Sequence, residues 1–118
     1  MKELKWFADS RSNLKSFPAG IQYDIGFALY VVQLGEMSAK AKPLHGLGGG
    51  VMEIAANDES GTYRAVYTVS IGEAIYLIHA FQKKSKDGIA TLKSDIELVR
   101  NRLKQLRSAV KNAEKKSS

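Results

Sequence analysis

The 118-residue chain contains no cysteine. That removes disulfides, zinc–thiolate sites and cysteine nucleophiles, and it fits a reducing cytoplasm, which is the expected location. Only two histidines are present, His45 and His79, and no clustered Asp/Glu motif accompanies them. No ligand set for a catalytic divalent metal is therefore expected, and no cofactor is implied. Long apolar runs are missing too: none approaches the ~18 residues of a membrane span. The opening MKELKWFADS has a charged or polar group every few positions, unlike a secretory leader. What remains is an ordinary globular composition, 44% hydrophobic and 25% charged, of a length that suits one domain with a single sizeable core. The expected domain is 1–112, with 113–118 as a disordered basic tail.

Charge is unevenly placed. Residues 1–82 hold seven Lys/Arg against eight Asp/Glu, net −1, whereas residues 83–118 hold eleven against four, net +7. A basic segment of this kind suits nucleic acid, another polyanion or an acidic protein partner. The plain alternative is a solvated helix ending in a lysine-rich tail.

The stretch from Gly48 to Lys84 reads as a three-stranded meander. Val51 to Ala56 is followed by the turn-forming cluster Asn57-Asp58-Glu59-Ser60-Gly61, and Ile71-Gly72-Glu73 makes the second reversal. Strict alternation puts Tyr63, Ala65, Tyr67 and Val69 on one face of the middle strand, with Arg64, Val66 and Thr68 on the other. The third segment, Ala74 to Gln82, is apolar almost throughout and is expected to be central, with His79 on the same face as Leu77 and Phe81.

Before the meander, Leu4 to Ala8 alternates as a short strand, and Asp9 or Ser10 is placed to cap a brief helix carrying Leu14 and Phe17. Pro18 then opens a longer helix in which Ile21, Ile25, Leu29 and Val32 form a stripe, widened by Tyr30, Val31 and Leu34, with Gly35 as its terminator. Met37 to Gly50 shows no periodicity and reads as a loop. Its GLGGG lacks the lysine and hydroxyl of a P-loop, which favours a flexible connector over a phosphate cradle. After Gly88, the residues Leu92, Ile96, Val99, Leu103, Leu106 and Val110 hold one apolar seam of a long helix. Lys93, Arg100, Lys104, Arg107 and Lys111 line a second stripe beside it.

The order strand, two helices, meander, basic helix resembles the RelE/ParE toxin superfamily, most nearly its phage-derived, host-inhibition (HigB-type) branch. The stretches that carry the resemblance are Asp24 to Leu29, Lys42 to Gly48 leading into Val51 to Ile54, Tyr63 to Tyr67, and His79 to Lys84. It implies an α+β, RelE-like fold: a small, mainly antiparallel sheet made of an N-terminal strand plus the meander, packed with two N-terminal helices and a long basic C-terminal helix. It also implies a cytoplasmic toxin of a type II toxin-antitoxin system, neutralised by a helix-turn-helix antitoxin in a hetero-oligomer. The implied activity is ribosome-dependent, metal-independent cleavage of mRNA, in which a ribose 2′-hydroxyl attacks the neighbouring phosphate.

By position, Arg64 matches the arginine of the family's middle strand, and Lys83 and Lys84 match the basic pair after its last strand. Such cations suit a phosphate whose negative charge grows in the transition state. Lys42 and His45, Lys86, Lys104 and Arg107 are the accompanying RNA-binding candidates. Two departures bear on chemistry. Met52 and Glu53 stand where RelE-type toxins place lysines, and no tyrosine follows Tyr76 to stack on RNA. Proton transfer then falls to His79, His45 or Glu53, although each histidine also reads as structural and Arg64 also reads as a cross-strand partner of Glu53. The same scaffold hosts ParE-type gyrase inhibitors, and a binding-only protein without chemistry is the third reading.

Overall fold

The computed structural model describes residues 1–83 and 93–116. The elements are β1 (Leu4–Trp6), α1 (Ser10–Lys15), α2 (Ala19–Gln33), β2 (Ala41–Pro43), β3 (Val51–Asp58), β4 (Gly61–Thr68), β5 (Ile75–Lys83) and α3 (Lys93–Lys116). They build an α+β fold around one five-stranded sheet in the order β1-β5-β4-β3-β2. β1 runs parallel to β5 and every other pairing is antiparallel.

The fifth strand, β2, lies in the segment expected to be a loop. It pairs Ala41, Lys42 and Pro43 with Ile54, Glu53 and Met52 at the edge of the sheet. Three residues are too few to show a period, and Pro43, which has no N–H to donate, is tolerated because an edge strand needs its ladder on one side only. The glycine loop that follows is pinned rather than free. Leu44 N–H donates to Val51 O at 2.9 Å, and the Arg107 guanidinium donates to Leu47 O at 3.1 Å. Gly48 has φ +94°, which favours glycine, and an added Cβ would lie 2.8 Å from that guanidinium and push it aside.

The β3–β4 hairpin is tighter than its polar cluster suggested. Asp58 pairs with Gly61, leaving a two-residue turn at Glu59 and Ser60. The Asp58 carboxylate accepts from the Ser60 hydroxyl at 2.6 Å and the Ser60 N–H at 2.7 Å. These bonds, the hydroxyl first, hold its carboxyl below the ordinary 3.8. A carboxyl depressed in the folded state stabilises above its unfolded pKa and loses that contribution as pH falls through the folded value. Thermal melts of Asp58→Asn should therefore converge on those of the parent as the pH drops below the ordinary carboxylate range. A constant offset across that range would rule out the linkage.

Each face of the sheet carries its own core. On one, Leu14, Phe17 and the α2 residues Ile21, Ile25, Ala28, Leu29 and Val32 cover Ile54, Tyr63, Ala65, Tyr67, Ile75 and Leu77. On the other, Val99, Leu103 and Leu106 of α3 cover Val51, Val66, Ile78 and Phe81. Of the predicted seam, Ile96 and Val110 are half-buried flanks, while Gly88 and Leu92 fall outside the described residues. α3 remains helical through Lys116, so 113–116, expected as a tail, form its last turn.

Three local expectations give way to tertiary partners. Strict alternation in β5 fails at a bulge: Val66 pairs with His79 but Tyr67 pairs with Leu77, leaving Ile78 extra. Leu77 thereby joins Ile75 and Ala80 in the α2 core, while Ile78 and Phe81 turn to α3, with His79 on their side. The expected caps of α1 are otherwise engaged. Asp9 occupies the N-cap position without a capping bond and pairs with Arg102 at 2.8 Å, and the buried Ser10 hydroxyl donates to Leu77 O at 3.1 Å. In α2, Gly35 does terminate the helix, with φ +87° and the paired bonds Gly35 N–H to Val32 O and Glu36 N–H to Val31 O of a Schellman motif. Tyr30 and Leu34, however, do not widen the buried stripe; they are 47% and 51% exposed on the opposite side.

Candidate functional site

Register places most of the chemistry-bearing side chains on the α3 side of the sheet. Lys42 of β2, Glu53 of β3, Val66 of β4 and His79 of β5 lie in one row across four strands. The next row is Ala55, Arg64 and Phe81, and the one after it is Asn57, Thr62 and Lys83. Directly opposed residues sit about 4.5–5.5 Å apart at Cβ, and diagonal ones remain within reach of long side chains. Arg64 uses that diagonal to form an ion pair with Glu53, whose side chains are 14% and 9% exposed. Both charges therefore sit at the margin of the α3 core, held together, while Lys42, Ala55 and Asn57 on the same face are exposed.

His79 is the most constrained member. Its Nε2 lies 2.9 Å from Asp95 Oδ1 and its ring stacks on Phe81 at 4.7 Å. Nδ1 lies 3.5 Å from the Arg102 guanidinium, which also donates to Ile78 O at 3.0 Å and pairs with Asp9. Both ring nitrogens face partners, so this buried imidazole ties β5 to the start of α3. Neither Arg102 nor Asp95 belongs to a motif of the sequence. A weak signal existed for Arg102, which directly precedes Leu103 of the apolar seam, a place where the stem is buried and the head must find partners.

The remaining candidates divide by position. Lys83 ends β5 on the same face as Arg64, two residues along the neighbouring strand. Lys84 and Lys86 lie outside the described residues. His45 follows the β2 strand past the level of Val51, roughly 20 Å along the strands from Lys83 at about 3.3 Å per residue. Arg107, bonded to the glycine loop, is at that same far end, and Lys104 is exposed one turn before it on α3. The structure thus brings Lys42, Arg64, Lys83 and His79 onto one face and sets His45 and Arg107 apart from them. Among the described residues, no group of three or more His, Asp or Glu is placed to hold a metal ion.

Beside this face, a groove of ≈310 Å³ runs along the end of β5, bordered by Asn13, Ser16, Tyr63 and Gln82. Asn13 closes part of the strand edge by donating to Ala80 O at 3.1 Å. Past the three residues that β1 covers, the edge of β5 is thus dressed by side chains rather than by another strand. No helix among the described residues is long and apolar enough to cross a membrane.

Residues 12–104 match the family described as "Phage derived protein Gp49-like (DUF891)". Among solved structures, a mutant of the E. coli toxin RelE in the free state is similar with a TM-score of 0.58 at 17% identity, covering 89% of this chain and 97% of that one. No curated protein matches.

Proposed function

From the premise that this chain belongs to the Gp49-like family of phage-derived proteins and carries the RelE-like toxin fold, we propose that it is the toxin of a toxin-antitoxin pair that cleaves mRNA on the ribosome. One observation carries the reading: Arg64 and Lys83 occupy adjacent strands on a single sheet face, with Lys42 in the neighbouring row. A planar guanidinium grips two phosphate oxygens at once, and lysines add point charge around it. Arg64 and Lys83 hold the scissile phosphate and oppose the charge that grows on it as the 2′-hydroxyl attacks, and Lys42 takes an adjacent part of the RNA backbone. Glu53 is the carboxylate paired with Arg64, and it acts here as a positioning residue that aims the guanidinium. His79, with both nitrogens engaged, keeps the β5 edge and α3 in register beneath the site.

In this reaction the bond from phosphorus to the 5′-oxygen breaks as the 2′-oxygen bonds to phosphorus. The upstream fragment ends in a 2′,3′-cyclic phosphate and the downstream one begins with a 5′-hydroxyl. After induction in cells, mapped mRNA ends should carry those groups, and purified cleavage should persist in excess chelator with ribosomes kept intact. Replacing the single cleaved ribose by deoxyribose should stop it. Cleavage that survives this replacement, or 5′-phosphate ends, would falsify the chemistry.

The Glu53–Arg64 pair also favours a second reading, in which Arg64 is a structural cross-strand partner and the protein binds RNA or an antitoxin without cutting. On that reading, induced cells show growth inhibition or promoter effects with mRNA ends unchanged.

A further inference from the structure

α2 is apolar on two opposite sides. Its buried side packs on the sheet through Ile21, Ile25, Ala28, Leu29 and Val32. On the other side, Tyr23, Phe27, Tyr30 and Leu34 recur at i, i+4, i+7 and i+11 and are 72%, 57%, 47% and 51% exposed, with Met37 beyond them at 69%. The rings already touch in series: Tyr23 stacks on Phe27 at 6.4 Å, and Phe27 meets Tyr30 at 6.4 Å. A helix with two apolar sides is stable in water when both are covered. We propose that this outer face of α2 is the interface of a two-fold homodimer, in which α2 of one copy packs across α2 of the next.

Area, charge and backbone point to a second copy. With each aromatic side chain worth roughly 150–250 Å² when covered, the three rings leave on the order of 350 Å² in water, and Leu34 and Met37 bring the patch to roughly 600 Å². That is the upper end of about 300–600 Å² for the largest apolar patch of an ordinary monomer. Doubled by a two-fold axis it reaches about 1,200 Å², the lower bound of a specific interface. Asp24 is the one charged residue of α2, so a polyanion or an acidic partner finds no cation on this helix, while two copies bring together no more than one pair of like charges. Most of the basic excess after residue 82 is carried by α3 on the opposite face of the sheet, so dimerisation through α2 keeps the two cationic helices apart. Gly26 lies beside this stripe, and a Cβ there would meet nothing within 4 Å of its own chain. Glycine in a helix interior is destabilising relative to alanine. A second helix crossing closely over Gly26 supplies the reason for it that the monomer lacks.

Sedimentation velocity of the full chain from low to high micromolar should show a concentration-dependent dimer. Tyr23→Glu with Phe27→Glu should weaken it by at least about 100-fold with an unchanged circular dichroism spectrum, since both side chains are exposed. Because the chain has no cysteine, Gly26→Cys offers an independent reading. It should oxidise to a covalent dimer, and Arg100→Cys on α3 should not. A monomer at every concentration with no preferential Gly26→Cys cross-link overturns the proposal. So does a monomer whose Phe27→Glu variant loses antitoxin binding instead, which assigns the face to the antitoxin.

Discussion

Arg64→Ala should abolish growth inhibition and lower mRNA cleavage by about 10²- to 10³-fold, the usual loss when one transition-state donor is removed. The single substitution also takes the Arg64 ion pair away from the Glu53 carboxylate, whose side chain is only 9% exposed. Breaking one side of a well-buried pair costs about 3–5 kcal/mol, and the partial exposure here places this site at or below the lower end. Loss of activity by the single variant is therefore ambiguous between chemistry and folding. The double variant Glu53→Gln with Arg64→Ala removes both charges and restores most of the stability, yet it should remain inactive. Glu53→Gln alone keeps the guanidinium and should lose less activity than Arg64→Ala, since it disturbs only the aim of Arg64. Lys83→Ala should weaken cleavage in the same direction as Arg64→Ala, because it removes charge from the same face. A folded double variant that still arrests growth and cuts mRNA would remove Arg64 from the mechanism.

Leu103→Ala is the largest stability effect expected from α3. Leu103 is 1% exposed between Val99 and Leu106 and packs in the core formed with Val66, Ile78 and Phe81. Truncation of a buried leucine costs about 2–5 kcal/mol, the larger values arising where surrounding groups cannot close the cavity. Strands that are paired on both sides cannot move inward, which puts this site in the upper part of that range. For a domain of this size each kcal/mol lowers Tm by about 4 °C, so the variant should melt roughly 10–20 °C below the parent. Lys104→Ala, on the exposed side of the same turn, should lie within about 0.5 kcal/mol of the parent. Urea titrations of both variants test this directly, and a Leu103→Ala loss under ~1 kcal/mol would mean that α3 is not docked through this seam.

The parts legible in the chain alone were those whose pattern is local. The 3.6-residue seam of α3 and the buried stripe of α2 follow from spacing within one helix, and the meander follows from short apolar runs between turn residues. The two faces of β4 were likewise readable, because its pairing with β3 is uninterrupted. Where an outcome depended on a residue far away in sequence, the pattern failed. Nothing around Ile78 marks a bulge; it arises in the pairing of β5 with β4 and sends Leu77 to one core and His79 to the other. Asp9 and Ser10 have the chemistry of helix caps, but Arg102 and the Leu77 carbonyl compete for them from other elements and hold them.

The candidate site divides along the same line. The resemblance to a toxin family, carried by several stretches between Asp24 and Lys84, pointed to Arg64 and Lys83 by position, since charge type and place along a strand are written in the chain. That they share a face with Lys42, that Glu53 holds Arg64, and that His45 lies at the far end are consequences of register. Register is set by which strands pair and where the ladder slips, and shifting it by one residue exchanges the two faces of a strand. The two-sided character of α2 has the same cause. Tyr30 and Leu34 are as apolar as the residues beneath them, and only the position of the sheet decides which side of the helix is covered and which is left open.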